Sequence, residues 1–291
     1  MSAKHPIISV TGSSGAGTTS VRQTFETIFR REHITAAFIE GDAFHRCDRV
    51  EMERAMAEAK KRGNSHFSHF GLEANLVEEL EEVFRNYGEH GTGRTRHYVH
   101  DEREEEVHGA PVGTFTPWVD FPRNTDLLFY EGLHGASITE KANIAQHADL
   151  KIGVVPVINL EWIQKLTRDK SARGYSHEAA IDAILTRMPD YVKYICPQFT
   201  ETDVNFQRIP TVDTSNPFVA RWIPTPDESM VVIRFKDPRG IDFPYLLSMI
   251  QMSFMSRANS IVIPGGMLDL AMQLILTPLI LTLVERRRRA S

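Results

Sequence analysis

Short apolar runs alternate along this chain with longer stretches whose apolar positions return at helical spacing. Residues 6 to 10 read as a buried strand, and the segment from about Thr18 to Arg31 as a helix. TAAFIEGDAF predicts a second strand that ends in acidic residues at Glu40 and Asp42; EMERAMAEAKKRG and LVEELEEVFRNYG then predict two helices. DLLFYEG at 126 to 132 and LKIGVVPVI at 150 to 158 are continuous apolar runs, the pattern of central strands buried on both faces. INLEWIQKLTRDKSARG and HEAAIDAILTRMPDYVKYI predict helices after them, and SMVVIRF and SIVIPGG further apolar runs near the end.

Strands alternating with helices in this way predict an α/β fold, a doubly wound and mainly parallel sheet flanked by helices. No repeat or low-complexity linker divides the chain, so residues 1–291 read as one domain. Within it, 88–117 is rich in glycine and charge and reads as a mobile excursion, a hairpin over the active site. Residues 165–175 read as a lid, and 227–291 as a C-terminal extension closing on an apolar interface helix. That last stretch, MLDLAMQLILTPLILTLVERRRR, approaches membrane-spanning length, but Asp269, Gln273 and Pro278 interrupt it. A buried or subunit-interface helix is the expectation, with no membrane partner.

Lys and Arg number 33 against 38 Asp and Glu, a net charge of −5, which favours no nucleic acid partner. The two cysteines, Cys47 and Cys196, lack metal or disulfide spacing and suit a reducing cytoplasm. A four-residue apolar run ahead of Thr11 predicts no signal peptide.

Chemistry concentrates first in GSSGAGTT, residues 12 to 19, between the first strand and first helix. A glycine loop in this place turns backbone N–H groups inward and adds a helix N-terminus, which together hold phosphate. Gly12, Ser13, Ser14, Gly15, Ala16, Gly17, Thr18, Thr19 and Ser20 are the candidate ATP contacts, with Thr19 at the Mg²⁺ hydroxyl position. Thr18 stands where the full motif carries lysine. The glycines also fit, imperfectly, a dinucleotide-binding turn with Glu40 or Asp42 downstream, so an NAD-dependent dehydrogenase is an alternative. A guanine-reading NKxD is absent, which disfavours a GTPase switch.

Parallel strands bring Asp42 and Glu131 to the edge that holds the loop. Asp42 is the candidate base for an attacking hydroxyl, and Glu131 a metal-site acid. Lys165, Arg168 and Asp169 lie within one turn of a helix ahead of Arg173 and Gly174; either they are a solvated helix end, or they bring cations onto the transferring phosphate. The missing lysine favours the second reading.

The chain resembles the phosphoribulokinases. The resemblance rests on EGDAFHR around Asp42, GNSHFSHFGLEANL at 63 to 76, GTGRTRHYVHDE at 91 to 102, GTFTPW, YEGLHG, IQKLTRDKSARGYS and GIDFPYLLSMI. It implies ATP, Mg²⁺ and ribulose 5-phosphate, with Asp42 as base, Glu131 at the metal, and His45, Arg49 and Arg173 on the sugar phosphate. Lys165, Arg168 and Asp169 then join the lid. Ala16 stands where plant members carry a redox cysteine, so thioredoxin switching is not expected. The chain is similar to the proteobacterial branch, which implies a homo-octamer activated by NADH and inhibited by AMP. Arg31, Arg234 and Arg257 are candidate effector contacts. Uridine kinases and related small-metabolite kinases share the loop, the acids and the lid, and remain the nearer alternative.

Overall fold

A computed structural model describes residues 4–13, 18–155, 157–172, 176–220 and 222–290, without the side chains of 18–20 and 168–172. The first half carries β1 (Ile7–Thr11), α1 (Thr18–Arg31), β2 (Ala36–Glu40), α2 (Arg49–Lys61) and α3 (Val77–His90). The excursion follows with β3 (Arg94–Thr95), α4 (Glu102–His108) and β4 (Val119–Asp120). Then come β5 (Leu127–Gly132), β6 (Leu150–Val155), α5 (Ile158–Ala172) and α6 (His177–Asp190). The chain ends with β7 (Val204–Pro210), β8 (Ser229–Phe235), α7 (Phe243–Met249), β9 (Phe254–Arg257), β10 (Ser260–Pro264) and α8 (Leu268–Ala290).

Eight strands form one sheet in the order β2-β5-β1-β6-β7-β8-β10-β9. The first five run parallel, and β8, β10 and β9 add an antiparallel half beyond β7. All five residues of β1 are buried, as a strand covered on both faces requires. Side chains alternate across this sheet. Ile8, Val10 and Phe129 join Phe25, Ile28 and Phe29 of α1 on one face, while Ile7, Leu128 and Tyr130 join Leu80, Phe84 and Tyr87 of α3 on the other.

By length and composition α8 is apolar enough to cross a membrane, yet its inner face belongs to the first core. Met272, Ile275, Leu276 and Ile280 are buried there. Arg31, at the end of α1, donates to Gln273 Oε1 at 3.2 Å and Thr277 Oγ1 at 2.9 Å, and Arg287 pairs with Asp126 at 2.9 Å. The excursion is more closely packed than its composition suggests. β3 and β4 form a hairpin, Tyr98 bridges Phe115, and Val99 is fully buried.

Candidate active site

Because β1, β2, β5 and β6 are parallel, their carboxyl ends share one edge, and the glycine loop leaves β1 there. Gly12 N donates to Gly132 O at 3.2 Å, which fixes the start of the loop against β5. Across this edge β2 and β5 approach so closely that a methyl group on Gly41 would lie 2.7 Å from Gly132 Cα. Only glycine fits either position. Gln198 ties three segments together: its Oε1 accepts from Thr11 Oγ1 and Ala136 N, both at 3.0 Å, and its Nε2 donates to Leu133 O and Tyr194 O.

Asp42 sits in a short 3-10 turn, Gly41–Phe44, that begins where β2 ends. His45 Nε2 lies 3.1 Å from Asp42 Oδ1, and His45 Nδ1 lies 2.9 Å from Asn75 Oδ1. The Asn75 amide is oriented by its own donors, since Nδ2 gives hydrogen bonds to His69 O at 2.8 Å and Gly71 O at 2.7 Å. Its oxygen must therefore face His45. With an acceptor at each ring nitrogen, His45 satisfies both only as the imidazolium. Burial opposes that charge, but Asp42 and the Asn75 oxygen outweigh it and raise the His45 pKa. Burial likewise opposes the charge on Asp42, and His45, His100 and His69 overcome it and hold the carboxyl well below its ordinary range. Asp42 keeps 40% of its exposure against 8% for His45, so the anionic carboxylate opens to solvent while its partner is enclosed.

The excursion reaches this carboxylate. His100 Nε2 lies 3.4 Å from Asp42 Oδ2, and His97 Nδ1 lies 3.8 Å from Glu40 Oε2. Arg49, the first residue of α2, donates from its backbone to Gly113 O at 2.9 Å and from Nη2 to His100 O at 3.3 Å, so it helps seat the excursion. Glu131 lies within β5, in register with Glu40 of β2 and on the face covered by α1. Arg22 of α1 pairs with Glu40 on that same face. Lys165 is half-buried on α5, which continues as helix to Ala172.

Ser14, Gly15, Ala16, Gly17 and Arg173 lie outside the described residues, as do the side chains of Thr18, Thr19, Ser20, Arg168 and Asp169. Arg234 and Arg257 flank Ser260 in one cross-strand row of the antiparallel half, at the end of the sheet away from Asp42, while Arg31 engages α8. Sequence reasoning did not find Asn75, His69, His97, His100, Arg96 or Gln198 as members of the site. All but Gln198 lie within the phrases that carry the resemblance, and no spacing rule joins segments so far apart in the chain.

The donor set suits a phosphate ligand with a hard cation. Ser13 Oγ is buried at the root of the glycine loop, 1% exposed, and has no hydrogen-bond partner among the described residues. Two carboxylates stand on the same edge, and no group of three or more His, Cys, Asp or Glu gathers to hold a metal among the described residues. Carboxylates and hydroxyls are the hard oxygen donors that Mg²⁺ accepts together with substrate phosphates.

Residues 7–215 match the Phosphoribulokinase / Uridine kinase family. The chain is 74% identical over 287 residues to a phosphoribulokinase of Nitrobacter vulgaris, covering 99% of each. It is 68% identical over 291 residues to that of Rhizobium meliloti (strain 1021), covering all of both. The solved structure of phosphoribulokinase from Rhodobacter spheroides is 62% identical, with a TM-score of 0.92 over 99% of this chain and 100% of that one. The dinucleotide-binding alternative falls with these matches, since the glycine loop belongs to a kinase fold. The chain belongs to the phosphoribulokinase / uridine kinase family, and within it to the phosphoribulokinases.

Proposed function

We propose that this kinase transfers the γ-phosphoryl group of ATP to the C1 hydroxyl of ribulose 5-phosphate, giving ribulose 1,5-bisphosphate, with Asp42 facing the attacking hydroxyl. The observation that carries the reading is the solvent-facing carboxylate of Asp42, held anionic by His45 at 3.1 Å on the edge where the glycine loop begins. An anionic acceptor aimed at a hydroxyl takes its hydrogen bond and then its proton as the phosphoryl group departs. The backbone of residues 12 to 20 cradles the ATP phosphates, and Ser13 Oγ finds its missing partner there. Thr19 and Glu131 would hold Mg²⁺, which would there offset the negative charge of the substrate phosphates.

Arg49 and Arg173 receive the 5-phosphate end of the sugar, for which guanidinium forks are the fitting donors, whereas His45, expected there from the resemblance, spends both ring nitrogens on Asp42 and Asn75 and holds the base instead. Lys165, Arg168 and Asp169 close from α5 over the transferring group. The reading extends to a cytoplasmic homo-octamer activated by NADH, with Arg31, Arg234 and Arg257 as effector contacts, supported by likeness to the proteobacterial branch.

A coupled assay with ATP, run with ribulose 5-phosphate, uridine and pantothenate and with or without NADH, tests these assignments together. Turnover is expected with ribulose 5-phosphate alone, and more of it with NADH. Asp42→Asn should lower kcat by roughly 10²–10⁴-fold, the scale of a positioned base, while ATP affinity holds. Equal losses in kcat and ATP affinity would assign Asp42 a binding role instead.

A further inference from the structure

We infer that Arg96 is a positioning residue for the phosphoryl-transfer site, clamping the turn that carries Asp42 and His45. Its side chain reaches out of the excursion just after β3 and meets that turn from the side opposite Asn75. Nε donates to Ala43 O at 2.8 Å and Nη2 donates to His45 O at 2.7 Å, so one guanidinium spans two carbonyls of the segment that runs from Asp42 to its imidazolium partner. Phe115 stacks beneath the guanidinium at 3.6 Å from its ring centroid, and Trp118 lies at 4.7 Å. The fork is therefore held flat by aromatic faces while its edge meets the carbonyls.

The other side of the turn is held by backbone pairs and by two side chains, His45 on Asn75 Oδ1 at 2.9 Å and Arg46 on Glu73 O and Asn75 O, both at 3.2 Å. Leu76 N donates to Phe44 O and Arg46 N to Ala74 O, both at 2.8 Å, and His45 pairs with Asn75 as an isolated bridge. Arg96 supplies the opposing half of the grip and joins the excursion to the acid it covers through His100. A Lys in its place keeps a positive charge but offers a single point, which cannot satisfy both carbonyls in that plane. The inference rests on the reading of Asp42 given above.

The test compares Arg96→Lys, Arg96→Met and Asp42→Asn by steady-state kinetics with ATP and ribulose 5-phosphate, alongside thermal melts. Both Arg96 variants should lose about 10- to 100-fold in kcat, the cost of an ångström-scale displacement of a reacting group. KM for ATP should change little, and Lys should fail to rescue. Should Arg96→Met melt below the assay temperature, Arg96→Lys, which retains charge and most of the bulk, decides. Wild-type kcat in Arg96→Lys, or equal changes in kcat and KM for ATP, would overturn the inference. If Asp42→Asn is inactive while Arg96→Lys is normal, only this inference fails; if Asp42→Asn is fully active, the reading beneath it fails too.

Discussion

At the scale of single residues, the site depends on one proton. His45 is nearly enclosed and carries an acceptor at each ring nitrogen, so its charge is a structural part of the Asp42 turn. A raised histidine pKa contributes stability that is fully present below its ordinary value near 6.5 and is lost as pH rises through the raised one. The depressed carboxyl of Asp42 works in the opposite direction: its contribution is present above its ordinary value near 3.8 and lost as pH falls through the depressed one. The pair is therefore strongest from about pH 4 to the neutral range. Replacing His45 with Gln removes the imidazolium and leaves Asp42 partly desolvated without its partner, at a cost of about 1–3 kcal/mol. Thermal melts of the wild type and His45→Gln across pH 5 to 9 check this. Their separation should be widest below pH 6.5 and should narrow as the solution becomes alkaline; a constant separation would mean that His45 has the same pKa folded and unfolded, and one that shrinks below pH 6.5 that it is neutral in the folded protein.

At the scale of elements, what could be read from the chain follows from how much of each element is buried. β1, β5 and β6 are continuous apolar runs because both of their faces are covered, and Asp42 was legible because the strand before it ends cleanly. β9 was not: it is a four-residue edge strand, FMSR, largely exposed, and a short run of that kind has no period to show. β7 mixes buried and half-buried positions in VNFQRIP for a similar reason. The histidines and asparagine around Asp42 come from three separate segments, and only the tertiary fold brings them together. α5 was predicted together with a charge run placed after it, but the helix itself runs on to Ala172, so Lys165 stands well inside a regular element. A cation on a rigid helix, half-buried, can be aimed at a phosphoryl group in a way that a free loop end cannot. Lys165→Ala should lower kcat by roughly 10²–10³-fold, the scale of losing one preorganised charge partner in the transition state, with an unchanged far-UV dichroism spectrum. Near-normal turnover would show that the charge absent at Thr18 is supplied elsewhere.

At the scale of the molecule, the sheet divides into a parallel half, at whose carboxyl edge the candidate site lies, and an antiparallel half of β8, β10 and β9. α8 joins the two, since it packs in the core beneath both halves and binds α1, the helix that starts at the loop, through Arg31. The apolar character of α8 then has two separable origins. Leu276 is fully buried beneath the sheet, whereas Leu270, on the same helix, is 39% exposed. Core burial accounts for the first, and the proposed subunit interface for the second. Leu276→Ala should therefore cost about 2–5 kcal/mol of stability through lost burial and the cavity left behind, seen as a lower melting temperature. Leu270→Ser should leave the fold of each subunit intact and, where the outer face of α8 is an interface, lower the mass measured by sedimentation. A Leu270→Ser protein with unchanged mass would move the interface to another face, and a Leu276→Ala protein with unchanged melting would remove α8 from the core.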